Sequence, residues 1–101
     1  MRPKPACLST AQVESALEAL PGWKIHEGKL FKEYRFADFQ AAFGFMTRVA
    51  ALAEAQDHHP EWFNVYSTLR VHLVTHEASG ITERDVRLAR SMEALLHGES
   101  K

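Results

Sequence analysis

Residues 57–76 read Asp57-His58-His59-Pro60-Glu61-Trp62-Phe63-Asn64-Val65-Tyr66-Ser67-Thr68-Leu69-Arg70-Val71-His72-Leu73-Val74-Thr75-His76. Pro60 pushes the residue before it out of the helical region, so a helix arriving from the N-terminal side is expected to stop here. Two short runs follow, about Trp62–Tyr66 and Leu69–His76, joined by a turn near Ser67-Thr68. In the second run Leu69, Val71 and Leu73 fall on one strand face, and Arg70, His72, Val74 and His76 fall on the other. The first set reads as core. The segment therefore predicts a helix stop followed by an antiparallel hairpin that carries His76 on its polar face.

Working back toward the N-terminus, Asp38 can cap a long helix whose apolar ladder is Phe39, Ala42, Phe43, Met46, Val49, Ala50 and Ala53. Gly44 inside it costs about 1 kcal/mol of helix propensity relative to Ala, which suggests that its missing side chain admits a close packing contact. Two strands precede this helix, Trp23–His26 and Leu30–Phe36, around a turn at Glu27-Gly28. Before them, Ser9 and Gln12 have the spacing of a capping box, and Val13, Ala16, Leu17 and Leu20 recur at helical period up to Pro21-Gly22. Beyond the hairpin a last helix starts at Thr82, with Asp85 in the reciprocal capping position and Ile81 placed to staple against Val86. Leu88, Ala89, Met92, Leu95 and Leu96 form its stripe. The order α-β-β-α-β-β-α predicts an α+β domain: a four-stranded antiparallel sheet with three helices on one face. Residues 1–7 read as a flexible N-terminal tail and 8–101 as a single domain. The face of the sheet left by the helices is where His76 points.

Composition narrows the function classes. The chain has 101 residues, 46% of them hydrophobic and 25% charged, as in an ordinary globular domain. A net charge of -1 supplies no general pull toward nucleic acid or an acidic membrane, so direct nucleic-acid binding is not expected. No stretch approaches the roughly 20 apolar residues of a membrane span. Cys7 is the one cysteine, and Met1 to Cys7 carries two prolines and two basic residues with no apolar run. A reducing, cytoplasmic location is the expectation.

Six histidines are many for this length, and four of them lie between positions 58 and 76. Glu54 stands one helical turn before His58, where a carboxylate can accept an imidazole N–H and fix its tautomer. Glu61-Trp62-Phe63 supplies flat apolar surface suited to a fused heteroaromatic ring. A carbinolamine loses water when one group protonates the departing hydroxyl and another takes the proton from the adjacent nitrogen. Imidazoles titrate near neutrality, at a pKa of about 6.5, so one can donate while another accepts. That elimination needs no metal, nucleophile or redox cofactor, and the sequence shows no Gly-rich phosphate loop, CxxC or GxSxG. Plainer readings stand beside this one. His-His-Pro can be a solvated helix end, and His76 an ordinary polar residue at a strand end. Trp62 and Phe63 can be core, Glu54 a solvated helix acid, and Asp85 simply a helix cap. A zinc site of His58, His59 and His76 is a further reading, opposed by the divergence of adjacent side chains.

The block Ala42-Phe43-Gly44-Phe45-Met46-Thr47-Arg48-Val49-Ala50, followed by Asp57 through Tyr66, closely resembles the pterin-4a-carbinolamine dehydratase family. The resemblance continues through Thr75-His76-Glu77, Gly80 and Glu83-Arg84-Asp85, and covers the chain from about Leu8 onward. It implies dehydration of 4a-hydroxytetrahydrobiopterin, or a related pterin, to the quinonoid dihydropterin, recycling the cofactor of aromatic amino-acid hydroxylases. The pterin is then the substrate, and no further cofactor or metal is implied. Carried over by position, His58 and His76 would be the acid/base pair with Glu54 orienting His58. His59, Trp62 and Pro60 would form the binding set. The resemblance also implies a homodimer or a homotetramer. Ala78 stands where animal members carry a cysteine, and Ser67–Arg70 and the last helix diverge from theirs. Those departures weaken transfer of the animal proteins' second role, binding a homeodomain transcription factor. A non-catalytic interaction or regulatory module on the same fold is the alternative.

Overall fold

In the computed structural model, which describes residues 5–97, the chain opens on helix α1 (Thr10–Leu17). Its capping box forms as the spacing predicts. The Gln12 N–H donates to Ser9 Oγ at 3.1 Å, and the Ser9 N–H donates to Gln12 Oε1 at 2.7 Å. Strands β1 (Lys24–His26) and β2 (Lys29–Arg35) follow, then helix α2 (Phe39–Gln56) and strands β3 (Glu61–Val65) and β4 (Thr68–Leu73). A 3-10 turn at His76–Ala78 leads to helix α3 (Glu83–Leu96). The class is α+β and the helix–strand order is the expected one. All strand pairs are antiparallel, in the spatial order β1-β2-β4-β3.

Register fixes which face is buried. Leu30 pairs with Leu73 and Tyr34 with Leu69, which puts all four on one face together with Val71. That face packs against Phe45 and Val49 of α2 and Val86, Leu88, Ala89 and Met92 of α3, with Val13 and Leu20 closing the core from α1 and the chain beyond it. Each fully buried Leu or Phe contributes about 1.5–3 kcal/mol by leaving water. One polar knot ties α3 to the sheet: Trp23 Nε1, Lys32 Nζ and Tyr34 Oη all donate to Glu93 Oε2, at 3.0, 2.7 and 2.7 Å. Burial pushes the Glu93 carboxyl up, but the three donors outweigh it and hold the group below its usual value. Burial, with Glu93 as neighbour, pushes the Tyr34 phenol up.

Several expectations need correction. Phe45, not Phe43, faces the core, and the buried ladder is Ala42, Phe45, Val49 and Ala53. Phe43 and Phe45 lie roughly 200° apart on a helix, so only one can meet the sheet. Phe45 does so, 5.0 Å from the Tyr34 ring. Phe39 and Phe43 are left to solvent, the latter 52% exposed, and their rings lie 5.6 Å apart. Ala50 is exposed as well. A Cβ on Gly44 would meet nothing within 4 Å, so no close contact explains this glycine within the chain. In α3, Leu96 is exposed, while Asp85, Val86 and Glu93 join the buried side.

Helix α2 ends at Gln56, before Pro60 can act. Asp57 takes the left-handed conformation at φ 52°, its N–H donates to Glu54 O, and the His58 N–H donates back to Ala53 O at 3.0 Å. This is a Schellman closure, which a short polar residue tolerates. Strand β4 stops at Leu73 rather than His76. Thr75 and Gly80 pair across a tight loop, and Val74, expected on the polar face, is buried. Residues 1–4 of the expected tail lie outside the described residues. At its inner end the Cys7 thiol donates to Ala78 O at 3.0 Å and the Leu8 N–H donates to Ile81 O at 2.9 Å.

Candidate active site

The Schellman closure turns the chain so that His58 points inward and His59 outward. His58 is buried, and its Nε2 lies 2.5 Å from Asp85 Oδ1. Asp85 itself is fully buried on the first turn of α3. Its Oδ2 accepts from the Thr82 N–H at 2.9 Å and from the Thr75 hydroxyl at 2.8 Å, and the Thr75 and Thr82 hydroxyls meet at 2.7 Å. The residue read as a helix cap does cap the helix, with one oxygen. Its other oxygen holds an imidazole from 27 positions away. Nothing local in the sequence signals that second bond.

His76 lies on the 3-10 turn rather than on a strand end. Its Nε2 is 2.9 Å from Glu61 Oε2, while Glu61 Oε1 accepts from Lys29 Nζ at 2.7 Å. The Lys29 hydrogen bond, against a smaller opposing effect of burial, holds the Glu61 carboxyl below its ordinary value, with the Lys29 and His76 charges adding to it. Glu54 was expected to orient His58, and the structure pairs it with His59 instead, at 3.2 Å. The i,i+4 relation holds only while a helix continues, and Asp57 ends it one residue too early.

An ionised carboxylate only accepts, so each of these Nε2 atoms carries the hydrogen and donates. With Nε2 so engaged, Nδ1 is the nitrogen left to gain or lose a proton. His58, His59 and His76 share one cleft of about 220 Å³, lined also by Asp57, Val74, Thr75 and Glu77. Sites that enclose a drug-sized ligand span about 300–1,000 Å³, so this one suits a small flat molecule gripped at a rim. Trp62 pairs with Val71 in the register, on the covered face, and packs against the core. It borders a larger depression of about 310 Å³ with Glu61, Phe63, Arg70 and His72, not the histidine cleft. Pro60 is half-buried between His59 of the one lining and Glu61 of the other, and belongs to neither.

Fold and site together define a small α+β domain with a set of carboxylate-anchored imidazoles at the edge of its sheet. The sequence profile described as Pterin 4 alpha carbinolamine dehydratase matches residues 6–95. A protein of Solibacter usitatus named for pterin-4-alpha-carbinolamine dehydratase is 53% identical over 91 residues, covering 90% of this chain and 96% of that protein. One from Prochlorococcus marinus (strain MIT 9303), with the same name, is 48% identical over 91 residues, covering 90% and 95%. The crystal structure of a transcriptional coactivator/pterin dehydratase from Brucella melitensis superposes with a TM-score of 0.85 at 44% identity, over 88% of this chain and 97% of that one. The chain belongs to the pterin-4-alpha-carbinolamine dehydratase family. No helix among the described residues is long and apolar enough to cross a membrane.

Proposed function

We propose that this protein dehydrates a pterin 4a-carbinolamine, 4a-hydroxytetrahydrobiopterin or a close relative, to the quinonoid dihydropterin. The observation that carries the reading is the His58/His76 cleft, in which both imidazoles are anchored to carboxylates through Nε2; Nδ1 is the nitrogen we assign to the substrate. One imidazole enters as the imidazolium and gives its Nδ1 hydrogen to the departing hydroxyl, while the other enters neutral and takes the proton from the neighbouring nitrogen on its bare Nδ1. The C–O bond breaks as the C=N bond forms, and water leaves. Buried Asp85 stabilises the imidazolium whenever His58 holds the proton. Proton transfer is sufficient for this step, so no cofactor or metal is assigned to it. His59, beside them and solvent-facing, is the binding residue, and Glu54 acts on it rather than on His58. Pro60 and Trp62 fix the course of the chain after His59 by rigidity and core packing.

The reading places the protein in the cytoplasm, returning the cofactor used by aromatic amino-acid hydroxylases. The exposed Phe39/Phe43 pair on α2 supports assembly as a homodimer or homotetramer. The same surface is what a non-catalytic interaction module would use. Stopped-flow measurement of 4a-hydroxytetrahydropterin decay separates the two. His58→Ala and His76→Ala are each expected to slow dehydration about 100-fold or more, with circular dichroism unchanged. Native rates in both variants would sink the mechanism.

A further inference from the structure

The outer face of the sheet carries a second histidine group that shares no residue with the cleft. His26 ends β1, Glu27 opens the β1–β2 turn in the left-handed region at φ 54°, and His72 lies on β4. His26 Nδ1 and His72 Nε2 are 3.1 Å apart, bridging over β2. Ligand atoms from His26, Glu27 and His72 all lie within 4.8 Å of one another. The Phe31 ring on the intervening strand supports both imidazoles, with centroids 5.2 Å from His26 and 4.7 Å from His72.

We propose that His26, His72 and Glu27 form a binding site for a divalent first-row transition metal, with Zn²⁺ as its representative. Two imidazole nitrogens at about 2.0–2.1 Å from a tetrahedral zinc stand roughly 3.3–3.4 Å apart. The nitrogens therefore need to part by only a few tenths of an ångström, and each ring has to turn by roughly 35° so that both lone pairs converge on the ion. In the metal-free pair the contact is a hydrogen bond between one ring's N–H and the other's lone pair. The ion takes the place of that shared hydrogen, which moves to the other nitrogen of its own ring, and gains the Glu27 carboxylate. Two nitrogens and one oxygen favour Zn²⁺, Ni²⁺ or Cu²⁺ over Mg²⁺ and Ca²⁺, which prefer all-oxygen shells. Lys24 lies over the Phe31 ring at 5.7 Å, and Lys29 is tied to Glu61. Their positive charge lowers the affinity of this half-open site without occupying its donor atoms.

The test is calorimetric titration of tag-free protein with Zn²⁺, with Co²⁺ absorption as a readout of coordination. One ion per chain is expected, unaffected by millimolar Mg²⁺. His26→Gln and His72→Gln are each expected to weaken binding at least about tenfold, since even outer-shell changes cost that much. Glu27→Gln should cost less, and His76→Gln nothing. Should His72→Gln disturb the sheet, His26→Gln at the exposed hairpin end carries the test. The proposal is overturned by three results: no Zn²⁺ uptake by the native chain, uptake surviving the His26/His72 double variant, or uptake lost in His76→Gln.

Discussion

Three histidines line one cleft, and each leans on a carboxylate, but the three pairs sit at different depths. Asp85 behind His58 is 0% exposed, Glu61 behind His76 is 38%, and Glu54 behind His59 is 81%. The same chemical pairing therefore does different things. An exposed pair contributes roughly 0–1 kcal/mol and leaves both side chains free to move. A buried one fixes tautomer and ring orientation, because either partner left alone would be an unpaired polar group away from water. His58 is held as part of the core, His76 as part of the surface with a tether, and His59 as an exposed side chain whose partner is more exposed still.

The comparison breaks most visibly at Asp85. Asp85→Asn keeps the shape but lets an amide N–H face the imidazole, so the His58 tautomer inverts. We expect dehydration to fall about 100-fold or more and the domain to lose about 3 kcal/mol, read by stopped-flow kinetics and urea melts. A rate near that of the native chain would mean that depth does not set the role.

Glu61→Gln is the intermediate case. We expect about a tenfold slower reaction, from a less restrained His76. It also carries a pH signature. The folded pKa of Glu61 is lowered, so its ion pair with Lys29 stabilises the fold fully above the unfolded value near 4.5 and is lost as pH falls through the lower folded value. Stability measured below roughly pH 5 should therefore change less steeply with pH in the variant. At the shallow end, Glu54→Gln should change stability by less than about 1 kcal/mol and the rate by no more than about threefold. A larger loss would show that His59 needs its tether as much as His58 does.

The fold was legible because its punctuation is local. The Ser9/Gln12 and Thr82/Asp85 boxes, the Asp38 cap and the alternation of Leu69, Val71 and Leu73 each act within a few residues. The face of α2 was not, because Phe43 and Phe45 are the same residue on opposite sides and only the sheet's register selects between them. The histidines announced themselves by number and spacing. Their partners did not: Asp85 meets His58 across 27 positions, and the left-handed Asp57 shifts Glu54 from His58 to His59. A single backbone reversal undid a pairing that helical spacing alone recommends.

The two oxygens of Asp85 have a consequence for how far this domain can be divided. One oxygen starts a helix, and the other completes a site whose histidines all lie upstream of that helix. A fragment ending at Gly80 would contain His58, His59 and His76 with most of the sheet, and still have no oriented His58. The site is therefore not a transplantable motif. It is a property of the closed chain, and it comes into being only when the last helix docks.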